Sequence, residues 1–193
     1  MERISEYVEE VYEFKETCPI CGYRDFTIKE AVYNVPNIGR LLIVTKLCPS
    51  CGFRRVEELP LTKKRRKRIY YKVNKRDDIY AKVIRSNMAS VEIVEIDSSI
   101  SPGLQAPLYV TNVEGIVHKF LDILKSMEVL SVSKERKEHL VRIKKRLERM
   151  LKPSVSYTLI IDDPLGVSNI IPLNKQSKVL IEEVEGELTT YGY

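Results

Sequence analysis

Four cysteines carry the clearest chemistry in this sequence. They lie in two copies of one short motif, CPICG at residues 18–22 and CPSCG at residues 48–52. A Cys-Pro-x-Cys-Gly turn directs two sulfurs to the same point, and the final glycine suits the positive φ that such a turn often needs. Two such turns supply four soft ligands in tetrahedral reach, which structural zinc prefers. The spacing predicts one zinc ion held by Cys18, Cys21, Cys48 and Cys51.

Disulfides, a redox Cys-x-x-Cys pair and an iron–sulfur site are the competing interpretations. Disulfides require an oxidising compartment, and the opening segment MERISEYVEEVYEF has no apolar h-region of a signal peptide. A thioredoxin-like motif occurs once at a strand-to-helix junction, whereas two matched copies bracket strand-like sequence here. Ligand type alone does not exclude a four-thiolate iron site. Four protein ligands leave no open coordination position, which predicts a structural metal and not a catalytic one.

Candidates for acid–base chemistry are few. Asp162 and Asp163 are adjacent carboxylates, but Asp-Asp-Pro-x-Gly is more typical of a turn whose carboxylates accept backbone N–H groups. His118 and His139 fall on predicted helices without a Cys or His at ligand spacing, and we expect His118 to be a partly buried helix residue. No P-loop, dinucleotide fingerprint, nucleophile elbow or His-Glu-x-x-His motif occurs. We therefore expect no enzymatic activity.

Charge is distributed unevenly along the chain, whose net charge is +5. Residues 1–16 and the segment 182–187 are acidic, and two basic zones lie between them, the run KKRRKR at Lys63–Arg68 and residues 134–152. The basic run could bind a phosphate backbone or a carboxylate-rich partner, or form a solvated loop. Because adjacent cations repel one another, we expect the run to be ordered only beside a partner or flanking acids.

The cysteine motifs bracket a predicted β-hairpin. Two β-branched runs at residues 27–36 and 41–47 flank a turn at residues 36–39, and Arg54–Leu59 is expected to pair back on the hairpin. The acidic segment before the first motif is predicted to be a short amphipathic helix or an extended strap. Residues 1–60 are therefore predicted to form a zinc ribbon.

Residues 61–193 are predicted to form a second, mainly β unit. Short alternating runs at residues 69–73, 80–85, 91–96, 156–161 and 178–184 favour strands. Between them, Thr111 and Glu114 form an expected capping box before one helical pattern, and a second pattern starts near Ser133 and ends before Pro153. Because the strands on both sides need partners, we predict a jelly-roll-like β domain with a helical hairpin inserted at about 111–152.

The predicted fold class is thus α+β, mainly β, with a four-cysteine zinc ribbon before the jelly-roll-like domain. A hydrophobic content of 44% supports a real core. No apolar run approaches the roughly 18 residues that span a bilayer. We therefore expect a cytoplasmic protein.

The order of these features resembles the ZPR-type zinc-finger family. Three phrases carry the resemblance: the cysteine motifs at residues 18–52, PGLQAPLYVTNVEG at 102–115 and LIIDDPLGVSNI at 159–170. The resemblance covers nearly the whole chain and implies the same zinc finger and jelly-roll-like domain. It also maps the four cysteines one to one onto the family's zinc ligands. Eukaryotic members carry two modules in tandem, whereas this chain resembles a single module, which suggests an archaeal representative.

Eukaryotic members of that family bind translation elongation factor 1-alpha. By this resemblance we expect a zinc-dependent adaptor or chaperone-like factor for that protein, with no chemistry of its own. The expected partner surface consists of Ile38 at the hairpin tip and three arginines of the second helix, Arg142, Arg146 and Arg149.

A nucleic-acid-binding zinc ribbon is the alternative function, with the basic run and the basic helix as phosphate contacts. The run contains no aromatic residue, only Tyr70 and Tyr71 after it, so base stacking has little support. An enzyme of jelly-roll type that uses Asp162 or Asp163 ranks third.

Overall fold

Twelve β-strands, two α-helices and two 3₁₀ turns make up the described part of the chain in the computed structural model, which covers residues 7–62, 64–131, 133–152 and 155–184. The strands are β1 (Val8–Glu16), β2 (Phe26–Val35), β3 (Gly39–Leu47), β4 (Arg54–Pro60), β5 (Lys67–Val73), β6 (Lys82–Arg85), β7 (Ser90–Ile93), β8 (Ser98–Ile100), β9 (Tyr109–Asn112), β10 (Tyr157–Asp163), β11 (Asn169–Ile171) and β12 (Val179–Glu183). The helices are α1 (Val113–Leu130) and α2 (Lys134–Met150), and the 3₁₀ turns span Arg76–Tyr80 and Val94–Ile96. These elements confirm the mainly β, α+β class.

The first four strands form an antiparallel sheet in sequential order, which we call the ribbon sheet. The predicted hairpin is present, since β2 and β3 pair along their whole length and β4 returns along β3. The described part of the acidic N-terminal segment, for which we predicted a helix or an extended strap, forms the edge strand β1. Its valine and aromatic residues favour extended backbone. Pairing with β2 provides hydrogen-bond partners for the backbone N–H and C=O groups along one edge of the strand. The cysteine motifs lie in the β1–β2 and β3–β4 connections.

The tip of the β2–β3 hairpin is packed against the second unit, which contradicts the exposed tip that we predicted at Ile38. The Ile38 side chain is only 2% exposed, and it clusters with Leu41, Ile84 of β6 and Leu108. Sequence reasoning treated the hairpin as an isolated element, whereas the apolar side chains of β6 and its neighbours cover the tip and remove it from water. The ribbon sheet and the β domain therefore share a small apolar cluster, which we call the junction cluster.

The β domain consists of two sheets. One has the strand order β12-β5-β10-β7-β8, and the other has the order β11-β6-β9. Along β10, Tyr157, Leu159 and Ile161 are fully buried and alternate with partly exposed residues. This period of two is the pattern of a strand with one face against a core. The main core lies behind this face and also takes in the apolar sides of both helices.

The predicted strands of this domain are present with changes at their ends. The 69–73 and 178–184 runs correspond to β5 and β12, and the 156–161 run corresponds to β10. The run at 80–85 begins in a 3₁₀ turn and forms a strand only over β6, and the run at 91–96 divides into β7 and a second 3₁₀ turn. Three short strands, β8, β9 and β11, were not predicted because three or four residues are too few to display a period.

The two helices follow one another as a hairpin, as predicted. Helix α2 begins where expected, since the Ser133 side chain accepts a hydrogen bond from the Arg136 N–H at 3.2 Å. The predicted capping box at α1 is wrong. Asn112 is the N-cap, and its side chain accepts from the Gly115 N–H at 2.7 Å. Thr111 instead belongs to β9, where it pairs with β6. Pro153, expected to end α2, lies outside the described residues.

In the described segments, neither helix is long and apolar enough to cross a membrane.

Candidate metal centre

The four cysteine sulfurs converge where the connections of the ribbon sheet meet. All four Sγ atoms lie within 4.8 Å of one another. The Cys18 and Cys51 sulfurs are 3.9 Å apart, and the Cys21 and Cys48 sulfurs are 3.6 Å apart. A tetrahedron with Zn–S bonds of about 2.3 Å has edges of about 3.8 Å. The spacing therefore fits one ion bound by all four sulfurs.

Two nearly identical turns produce this convergence. In the first, the Cys18 N–H donates to the Tyr23 oxygen at 2.8 Å and the Gly22 N–H donates to the Cys18 oxygen at 2.9 Å. The second turn repeats both bonds around Cys48, at 2.8 and 3.0 Å. Gly22 and Gly52 have φ values of +74° and +73°, as the motif predicted. A side chain would strain this left-handed backbone, so the glycines allow each pair of cysteines to face one point.

Aromatic side chains support the turns from one side. Cys18 and Cys48 are 2% and 0% exposed and form a cluster with Phe26, and Ile28 and Phe53 pack against it. The Phe26 and Phe53 ring centroids are 6.0 Å apart at an interplanar angle of 45°, a tilted geometry that aromatic pairs favour. The other two cysteines of the group are exposed to solvent. Each motif thus contributes one buried and one exposed sulfur.

The pKa values of the Cys48 and Cys51 thiols are shifted in opposite directions. A hydrogen bond from the Cys51 backbone N–H lowers the pKa of Cys48 to about 7, although burial opposes this effect. At Cys51, the Phe53 N–H also lowers the pKa, but burial and the three neighbouring sulfurs outweigh it and raise the pKa to about 12. Ionisation of one sulfur therefore hinders ionisation of its neighbour. A cation among the sulfurs removes this conflict, because it stabilises several thiolates at once.

Within the described residues, these cysteines form the only group of three or more side chains whose metal-binding atoms lie so close together. We predicted a partly buried His118, and this is wrong, because the His118 side chain is exposed on α1. His139 lies on α2 and lines a cleft beside the second 3₁₀ turn. Neither histidine joins the cysteine group.

The basic run leads into β5 and is held by carboxylates from other parts of the chain. Asp162 accepts from Arg66 at 3.1 and 3.0 Å and from Arg68 at 3.3 and 2.9 Å. Arg65 pairs with Glu183 at 3.2 Å, in the exposed part of β12. Burial alone would raise the pKa of Asp162, but the two arginines outweigh it and leave the pKa lowered. The described part of the run, residues 64–68, is therefore held by flanking acids, one of the two conditions that its sequence suggested, whereas Lys63 lies outside the described residues.

Asp163 has the turn role that we predicted. It is fully buried. Its carboxylate accepts from the Ser86 hydroxyl at 2.7 Å, the Leu165 N–H at 2.9 Å and the Ser168 N–H at 2.6 Å. These bonds join the end of β10 to the loops after β6 and β10. Both members of the Asp-Asp pair are thus occupied by contacts within the fold.

The candidate partner residues divide between two places. Ile38 is buried in the junction cluster. The three arginines of α2 lie together instead, along a cleft between α2 and the second 3₁₀ turn. Sequence reasoning identified the basic helix but not the cleft, because the other wall comes from a segment some fifty residues earlier in the chain. The sequence of the turn Val94–Ile96 carries no local signal that predicts its position beside α2.

The sequence is similar to known proteins over both the ribbon sheet and the β domain, and these proteins all carry the ZPR1 name. Residues 77–188 match the ZPR1 jelly-roll domain. A ZPR1-like protein of Methanocaldococcus jannaschii is 32% identical over 167 residues, which cover 86% of this chain and 84% of that protein. A ZPR1-like protein of Pyrococcus horikoshii is 28% identical over 171 residues, which cover 86% of this chain and 76% of that protein.

The similarity also reaches a longer protein. The zinc finger chaperone zpr1 of Schizosaccharomyces pombe is 27% identical over 188 residues, which cover 91% of this chain but only 40% of the yeast protein. Because nearly the whole chain is matched, the similarity includes the ribbon sheet as well as the β domain.

Proposed function

The chain belongs to the ZPR1 family, and on that basis we propose that it is a zinc-binding adaptor or chaperone-like factor for translation elongation factor 1-alpha. The observation that carries the proposal is the similarity over 91% of the chain to a protein named a zinc finger chaperone. The elongation factor comes from the family resemblance of the three sequence phrases. In this role the protein binds its partner in the cytoplasm and performs no chemistry of its own.

Zinc is the proposed ion at the cysteine centre. Four thiolates are a soft ligand set, and the two short sulfur–sulfur distances, 3.9 and 3.6 Å, suit the small tetrahedral ion. With Cys18, Cys21, Cys48 and Cys51 all bound, no coordination position is open for a substrate. The ion then has a structural role, which is to fix the two turns at the end of the ribbon sheet.

Elemental analysis of the purified protein tests the metal assignment. We expect one zinc per chain, and a Cys48→Ser variant should lose it and also lose the dispersed NMR signals of β2 and β3. Structural zinc in small domains contributes on the order of 10 kcal/mol to folding, more than so small a core supplies. A preparation without stoichiometric zinc, or with iron in its place, contradicts the assignment.

The partner surface is proposed to be the cleft side of α2, where Arg142, Arg146 and Arg149 lie. Ile38 is no longer part of it, because its side chain is buried in the junction cluster. Titration of elongation factor 1-alpha from the same organism tests the function. We expect the protein to bind the factor in its native or refolding state and to raise the yield of refolded factor. Absence of binding to both states contradicts the proposed function.

Nucleic acid is the less supported partner. Of the basic run, Arg65, Arg66 and Arg68 already pair with carboxylates of the chain, so binding a phosphate backbone there has to compete with these pairs. A sub-micromolar affinity for RNA or DNA near physiological salt, lost when the run is neutralised, would reverse the order of the two functions.

A further inference from the structure

A cleft of about 440 Å³ lies between α2 and the 3₁₀ turn Val94–Ile96. Helix α2 contributes most of one wall. The lining residues are Glu95, Ile96, Asp97, His139, Arg142, Ile143, Lys145, Arg146 and Arg149. The cleft thus combines a row of cations with two apolar side chains.

The cations of the cleft are not neutralised within the described structure. No described carboxylate forms an ion pair with any of its three arginines or with Lys145, and Arg146 donates instead to the Glu95 backbone oxygen at 3.5 Å. The Glu95 carboxylate is occupied elsewhere, since it accepts from the Thr158 N–H at 2.7 Å and pairs with Lys72 at 3.5 Å. The cleft therefore carries a local excess of positive charge, in contrast to the paired basic run.

The cations have a regular spacing. Arg142, Arg146 and Arg149 are four and three residues apart on one helix, which places them about 6.0 and 4.5 Å apart along its axis. Side chains on one face of an extended peptide repeat every 6.6–6.8 Å or so. Successive carboxylates on such a face can therefore reach successive arginines. Each arginine could then form two parallel hydrogen bonds to one carboxylate, and such bidentate pairs would stabilise the bound peptide.

Two of the side chains that line the cleft are apolar. Ile96 is 5% exposed, and Ile143 is partly buried against the same core. An apolar side chain between two carboxylates points to the opposite face of an extended peptide, where it can meet Ile96 of the 3₁₀ turn across from α2. The sugar of a nucleic acid would cover these apolar side chains less well, and no Phe, Tyr or Trp lines the cleft for a base to stack on. Asp97, exposed at the rim, repels any anion that binds beside it.

We propose that this cleft binds an acidic peptide segment of a protein partner, one in which carboxylates alternate with apolar side chains. The proposal rests on the protein-binding role proposed above and goes beyond it by assigning a site and the chemistry of its ligand. It does not require that the segment belong to elongation factor 1-alpha.

Fluorescence anisotropy with two synthetic peptides tests the site. One peptide alternates glutamate and leucine, and the other has glutamine in place of each glutamate. We expect the protein to bind the acidic peptide about tenfold more tightly than the glutamine analogue. The difference should shrink between about 0.05 M and about 0.3 M salt, because the Debye length falls over this range.

Two charge-reversed variants locate the binding. The double variant Arg142→Glu, Arg149→Glu should bind the acidic peptide with an affinity lower by about tenfold or more. Arg136→Glu with Lys137→Glu makes the same change of net charge on exposed residues of the same helix outside the cleft, and it should keep most of the affinity. Circular dichroism of each variant checks that α2 remains folded.

A third variant is expected to gain affinity, which loss of folding cannot imitate. Asp97→Asn removes the acidic group at the rim and should raise the affinity for the acidic peptide by about twofold to threefold. Asparagine also tolerates the left-handed backbone of this position, where φ is +50°.

Several outcomes overturn the inference. They are equal loss of affinity in both double variants, unchanged affinity in the Asp97→Asn variant, and displacement of the peptide by polyuridylate at lower concentration than by unlabelled peptide. Displacement by inorganic phosphate at similar concentration would assign the cleft to a small anion instead. Self-association of the wild type that only the Arg142→Glu, Arg149→Glu variant abolishes, without peptide binding, would assign it to a second copy of the chain.

The elongation factor separates this inference from the proposed function. If the factor binds wild type and the Arg142→Glu, Arg149→Glu variant equally while no acidic peptide binds, the cleft inference fails and the function stands. If the acidic peptide binds in the cleft and the factor does not bind at all, the function fails and the cleft inference stands.

Discussion

Replacing Ile38 with alanine should loosen the contact between the ribbon sheet and the β domain. The side chain is 2% exposed and belongs to a cluster of four buried residues with Leu41, Ile84 and Leu108. The substitution removes most of its apolar surface and leaves a cavity. Truncations of this kind cost about 2–5 kcal/mol in protein cores. Because a small cluster can collapse more readily than a large core, we expect a loss of about 2–3 kcal/mol in the free energy of unfolding.

Urea unfolding followed by circular dichroism measures this loss. The matched control is Leu104→Ala, since Leu104 is 90% exposed, and it should change stability by no more than about 0.5 kcal/mol. Combining Ile38→Ala with Ile84→Ala should reveal a coupling energy of about 0.5–3 kcal/mol, as expected for residues in contact. If Ile38→Ala costs no more than the control, the hairpin tip is free in solution and the argument for a shared junction cluster is refuted.

Two further predictions concern the end of β10 and the turn after it. Asp162→Asn should cost about 1–3 kcal/mol at neutral pH, because Arg66 and Arg68 lose a charged acceptor. The folded pKa of Asp162 is lowered, since the two arginines outweigh the opposing effect of burial. The stabilisation is therefore present above the unfolded pKa and lost as pH falls through the folded one, so urea midpoints of wild type and variant should converge in acid and stay apart at neutral pH. Gly166→Ala should cost about 2 kcal/mol or more, because φ is +67° and a Cβ would lie 2.1 Å from a backbone oxygen of the basic run. Gly103→Ala, with open space around it, should have little effect, and equal melting temperatures for the two glycine variants would contradict this account.

The ribbon could be predicted because its signals are local. Each cysteine motif specifies a turn within five residues, and the β-branched runs between the motifs specify the hairpin that connects them. The start of α2 was predictable for the same reason, since Ser133 caps a helix whose first turn follows it directly. At α1 the local signal misled, because Thr111 and Asn112 are both capping residues and the pairing of β9 with β6 decided between them.

Contacts between distant segments could not be predicted. Asp162 meets Arg66 across 96 residues of sequence, and the basic run on its own left open whether its cations bind a partner, flanking acids or only solvent. The burial of Ile38 depends on where β6 lies relative to the hairpin, which no residue near Ile38 encodes. The cleft beside α2 likewise exists only because the fold places Val94–Ile96 against that helix. In each case the contact depends on a segment that is distant in the sequence.

The unequal exposure of the four sulfurs would give a bound ion a preferred direction of ligand exchange. Cys18 and Cys48 lie beneath the aromatic cluster, whereas Cys21 and Cys51 face solvent. A chelator, an oxidant or the thiol of another protein can approach only the exposed pair without disturbing the Phe26 and Phe53 rings. Release of a bound ion would therefore start with dissociation from Cys21 and Cys51, and the bonds to the two buried sulfurs would break last. Loading would follow the same route in reverse, so the solvent-facing pair would set how fast the proposed site takes up its ion.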